Sequence, residues 1–142
     1  EAPYIFKKGD FIDKTGRVIG THQGIPAYTV GQRRGLNLGG PGGPYYVAAL
    51  DKAHNTVIVG AEKDLFSKDV IACDATWVEA VPTAPFRAYG KIRYAATEAP
   101  CTVYPAGDRL KAVFIEPQRA VTAGQALVLY DDDRVLGGGV II

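Results

Sequence analysis

"FRAYGKIRY", residues 86–94, is the stretch on which the fold turns. In an extended chain Phe86, Ala88, Ile92 and Tyr94 fall on one face, and Arg87, Tyr89, Lys91 and Arg93 on the other. The first face is a core face. The second is a row of cations with an aromatic ring inside it, a geometry that suits a phosphate backbone with a base or sugar stacked on the ring. Taken alone, the segment is more simply a solvated strand face with ordinary positive charges.

Working outward, short apolar or alternating runs broken by turn signals recur at residues 70–79, 101–104, 109–115, 126–130 and 134–142. With 86–94 these make six strands. The connectors "VPTAP", "TEAP", "PAGD", "EPQRAVTAGQ" and "DDD" are short, which predicts a small closed barrel, because closure removes exposed sheet edges. Upstream, residues 45–50 and 56–59 flank "DKAHN" and predict a hairpin. The best helical candidate, residues 61–68, spans barely two turns. The expectation is a mainly β chain: a small β domain over residues 1–67, containing the "GQRRG" loop, then a six-stranded β-barrel over 68–142.

Composition sets the bounds. The chain has 142 residues, 47% hydrophobic and 22% charged, values of a globular protein of one or two domains. Seventeen glycines and nine prolines favour turns over long helices. No apolar run approaches the ~20 residues of a membrane span, and no signal-peptide pattern opens the chain. Two cysteines form no disulfide framework, so a cytoplasmic protein without membrane contact is expected. The chain lacks methionine and begins at Glu1, which suggests a piece of a longer polypeptide. Net charge is only +1, with seven Lys or Arg against four Asp or Glu in residues 1–60 and nine against eleven thereafter. Any basic surface must be local.

One such locality is "AYTVGQRRGLNLGG", residues 27–40. Gly31, Gly35, Gly39, Gly40, Gly42 and Gly43 permit positive φ and close backbone approach. Amide N–H groups there can form an anion-binding nest, with Gln32, Arg33 and Arg34 adding an amide and two guanidinium forks. Taken alone, glycine-rich loops between strands are more often plain turns. The loop matches neither the P-loop nor the dinucleotide fingerprint. His22 and His54 have no ligand at metal-binding spacing, and "DDD" reads as a solvated hairpin tip. Cys73 alternates with Ile71, Ala75 and Trp77, and Cys101 sits beside Val103, so both are expected as buried core thiols. No catalytic or metal-binding residue is assigned.

The order of these pieces resembles the tRNA-specific 2-thiouridylase (MnmA) family. The resemblance runs through "GDFIDKTGRVIGTHQGIPAYTVGQRRGLNLGG", "YYVAALDKAHNTVIVG", "GKIRYAATEAPCTV", "FIEPQRAVTAGQALVLY" and "VLGGGVI", almost the whole length. It implies the central and C-terminal β domains, the latter resembling the second domain of translation elongation factors, without the N-terminal catalytic domain. The family uses ATP and Mg to activate the C2 oxygen of a wobble uridine, then installs sulfur from a persulfide donor protein. Its pyrophosphatase loop and working cysteines have no counterpart here, so this segment is expected to need no cofactor of its own. The implied role is non-catalytic: tRNA positioning by Gln32, Arg33, Arg34, Arg87, Tyr89, Lys91 and Arg93, with tRNA and the catalytic domain as partners. "GQRRG" is then expected to face either RNA or that domain. The alternative is a stand-alone translation-factor-like adaptor that binds protein partners.

Overall fold

Two β units build the chain, Glu1–Phe66 and Ser67–Ile142, in a computed structural model that describes residues 7–39, 42–93 and 96–142. The first unit is a four-stranded sheet of β1 (Gly9–Ile12), β2 (Val18–His22), β3 (Tyr46–Asp51) and β4 (Thr56–Gly60), ordered β2-β1-β4-β3. The β1–β2 turn is closed by the Asp13 carboxylate, which accepts the backbone N–H of Thr15 at 2.9 Å and of Arg17 at 3.0 Å. The expected hairpin is present, with Asp51 opposite Thr56 and Asn55 at φ 53° in its turn. Alternate residues of β1, β3 and β4 bury Phe11, Val47, Val57 and Val59, all fully shielded.

His22 is also completely buried. Its Nδ1 accepts the Gly24 N–H at 2.9 Å, which leaves the proton on Nε2 to be donated to the Asn55 carbonyl at 2.8 Å. Edge contacts with Phe11 and Tyr28, at 5.9 and 5.8 Å between centroids, complete its surroundings. It is a satisfied core residue.

Residues 61–68 correct the helical expectation. A single 3-10 turn covers Glu62–Leu65, and β5 (Phe66–Trp77) begins at once. The Asp64 carboxylate accepts the Ala61 N–H at 2.9 Å and closes the turn. Eight residues are too few to offset helix nucleation, and the apolar alternation of the following strand prevails.

The second unit is the expected closed barrel: β5, β6 (Phe86–Lys91), β7 (Ala99–Ala106), β8 (Arg109–Arg119), β9 (Ala126–Asp131) and β10 (Arg134–Ile141), in the order β10-β5-β8-β7-β6-β9. Its core holds Val70, Ala72, Val103, Leu110, Ala112, Phe114, Leu127, Leu129 and Ile141. Gly90 leaves space for one of them: a Cβ there would stand 2.8 Å from the Phe114 ring. The tip at Asp131–Asp133 is the tight β9–β10 turn, with Asp131 opposite Arg134.

Cys73 is a second correction. Gly138 pairs with Thr76 and Val140 with Cys73, so Asp74 and Ala75 together oppose Gly139. Asp74 takes φ 53° in this bulge. The extra residue flips the strand's faces. Ala75 and Trp77 pack on the core, while Cys73 falls out of phase with them and is half-buried. Cys101 is buried as expected, and burial pushes its thiol up to about 11.

Candidate nucleic-acid interface

The "GQRRG" loop is tied to its sheet like an extra strand. Gly31 N–H donates to the Val47 carbonyl at 2.8 Å, and Val47 N–H to the Gln32 carbonyl at 2.9 Å. Gly31 and Gly35 lie at φ 94° and 80°, so two of the loop's glycines use left-handed backbone, as does Asn37 at 56°. Gly40 lies outside the described residues. The Gln32 side chain braces the turn: its Oε1 accepts the Thr29 N–H at 2.9 Å and its Nε2 donates to the Arg34 carbonyl at 2.8 Å.

This changes the chemistry expected of the loop. The amides of Gly31 and Gln32 point at protein acceptors, the latter at the Thr29 carbonyl, so they do not form an anion nest. What the loop presents is Arg33 and Arg34, both exposed and without a side-chain partner among the described residues. Arg33 borders a shallow groove of about 340 Å³ with Leu36, Leu38 and Tyr45. Gln32 shapes the loop and the arginines are its free donors.

On the barrel, the row read from the sequence is real as far as Lys91. Ala88 and Gly90 point inward; Arg87 and Tyr89 are exposed and Lys91 is half-buried on the outer side. Neither Arg87 nor Tyr89 has a hydrogen-bond or ionic partner among the described residues. Register adds a residue that the sequence did not reveal. Tyr89 stands opposite Tyr130 of β9, and Lys91 Nζ lies 5.6 Å from the centre of the Tyr130 ring. The outer face thus carries two cations and two tyrosines together, an arrangement able to hold phosphates and stack a base.

Arg93 departs from that row. The strand ends at Lys91, and the Arg93 guanidinium turns to donate to the carbonyls of Arg119 and Ala120, the latter at 3.0 Å. Ala120 itself sits at φ 58°, so the guanidinium anchors a strained bend. Tyr94 lies outside the described residues.

Residues 3–61 match the tRNA methyl transferase PRC-barrel domain family, and residues 67–141 the aminomethyltransferase beta-barrel domain family. Similar proteins include the tRNA-specific 2-thiouridylase MnmA of Symbiobacterium thermophilum, 48% identical over 99% of this chain and 36% of the relative. The MnmA 1 of Syntrophus aciditrophicus is 44% identical over 94% of this chain and 35% of the relative. That of Acetivibrio thermocellus is 45% identical over 95% and 38%. The chain belongs to the tRNA-specific 2-thiouridylase family. It spans little more than a third of the length of these relatives, and both β units fall within the shared part. No helix among the described residues is long and apolar enough to cross a membrane.

Proposed function

We propose that this chain is the tRNA-positioning part of a tRNA-uridine 2-sulfurtransferase, a cytoplasmic enzyme that makes 2-thiouridine at the wobble position. In this reading it takes no part in bond chemistry. ATP, Mg and the persulfide donor engage the remainder of the longer protein, whose catalytic domain is the second partner of these units. The observation that carries the reading is the outer face of β6 and β9, where Arg87, Tyr89, Lys91 and Tyr130 converge with Arg87 unpaired. Phosphate contacts from such a face position a nucleic acid without reading its sequence. Arg33 and Arg34 form a separate basic element, held out by Gln32. Arg93 belongs to the site as a support for the strand end rather than as a phosphate ligand. Similarity to 2-thiouridylases across both units favours this reading over a stand-alone adaptor.

Single-turnover thiolation by the full-length protein tests it. Arg33→Ala and Arg34→Ala should each slow thiolation more than they weaken tRNA binding, because misplacing a substrate by about 1 Å can cost on the order of a hundredfold in rate. Normal thiolation by both variants would reduce "GQRRG" to a turn.

A further inference from the structure

We propose that a groove at one rim of the barrel seats a single unpaired nucleotide of the bound RNA. The inference rests on the RNA reading above and adds a site to it. The groove, about 550 Å³, is formed where β5 ends, β6 begins and the β9–β10 turn returns. That volume lies within the ~300–1,000 Å³ range of pockets that hold small-molecule-sized groups.

One part of its wall is apolar and aromatic. Trp77 meets Phe86 edge-on, with ring centres 6.0 Å apart, and Val78 and Val135 are 68% and 42% exposed beside them. The polar lining decides which chemistry fits. Arg134 is held by Asp131 at 3.1 Å and by Glu79 at 3.9 Å, so most of the charge there is balanced in place. A bare phosphate would meet two carboxylates. A nucleobase is neutral and carries both donors and acceptors on its edge, which carboxylates and a guanidinium can read together.

Arg87 supplies the link to the backbone. It lines the groove, lacks a partner among the described residues and begins the Arg87–Tyr89–Lys91 row. An RNA strand following that row reaches the groove with a phosphate at Arg87 and its base free to enter. A peptide adding itself as a strand is excluded, since every strand of the closed barrel is already paired on both sides.

Trp77 is the only tryptophan of the chain and lines this groove, so tryptophan fluorescence reports on its wall. The purified chain is titrated at low salt with a single-stranded RNA hexamer, a 12-base-pair RNA duplex and a proline-rich decapeptide, while end-labelled RNAs report binding by anisotropy. The hexamer should change Trp77 emission saturably, and the duplex should bind without doing so. Val135→Glu adds a third carboxylate at an exposed position and should weaken hexamer binding on the order of tenfold, leaving duplex binding intact. Hexamer binding with no Trp77 response, or an unchanged response in Val135→Glu, overturns the groove while the RNA reading stands. A Trp77 response to the peptide and not to RNA makes the groove a protein site and overturns the proposal. Failure of both RNAs to bind overturns the groove and the RNA reading together.

Discussion

Tyr89 and Tyr130 stand directly opposite one another on the outer face of the barrel, brought together by the β6–β9 register across some forty residues of chain. Tyr89 is 46% exposed, and Lys91 covers the Tyr130 ring. If a base stacks on this pair, Tyr89→Ala should weaken tRNA binding by about 1–3 kcal/mol, and Tyr89→Phe should retain most of it, because stacking uses the ring and not the hydroxyl. Equilibrium binding of the two variants at one salt concentration checks this. Equal losses in both would assign the contact to the hydroxyl.

Arg93 should matter for stability. Arg93→Ala removes a charged donor from the carbonyls of Arg119 and Ala120 and should cost about 1–3 kcal/mol in urea unfolding. The folded variant should bind tRNA with the wild-type salt dependence. A flattened dependence with unchanged stability would return Arg93 to the phosphate row.

The two thiols should separate. Burial raises Cys101 from 9.0 to about 11, which cuts its thiolate fraction about a hundredfold, and its side chain is 2% exposed. Native labelling should therefore modify Cys73 first and reach Cys101 only on unfolding. Mass spectrometry of a labelling time course distinguishes them, and early modification of Cys101 would contradict the buried assignment.

Acid should loosen the first unit. Asp13, Asp51 and Asp64 are held below 3.8, chiefly by hydrogen bonds from Thr15, His54 and the Ala61 amide respectively. A depressed folded value means that each contributes stability above the unfolded value of 3.8, lost as pH falls through the lower folded value. Thermal melts should be level with respect to these groups from about pH 7 to 5 and fall below about pH 4. Asp64→Asn should reduce the acid-dependent part of that fall.

The barrel was legible because its strands alternate and its turns are short, properties written in neighbouring residues. What escaped was non-local. The Asp74–Ala75 bulge depends on Gly139 from the other end of the unit, and it alone moves Cys73 off the core-facing phase. Alternation placed Arg93 beside Lys91, but the strand stops and the side chain answers to carbonyls near residue 120. Gln32 read as a ligand because its bonds to Thr29 and Arg34 follow from the loop's fold and not from its composition. Tyr130 had no sequence signal at all as a partner of Tyr89.

The most direct test of tRNA positioning is the salt dependence of binding by the wild type and by the Arg87→Ala, Lys91→Ala double variant. Each phosphate contact contributes roughly −0.7 to −0.9 to the slope of log affinity against log salt. The double variant should lose about two such contributions and weaken cognate and non-cognate tRNAs alike, since phosphate contacts carry no sequence information. A double variant that keeps the wild-type slope would show that the β6–β9 face is merely solvated, and would contradict the account.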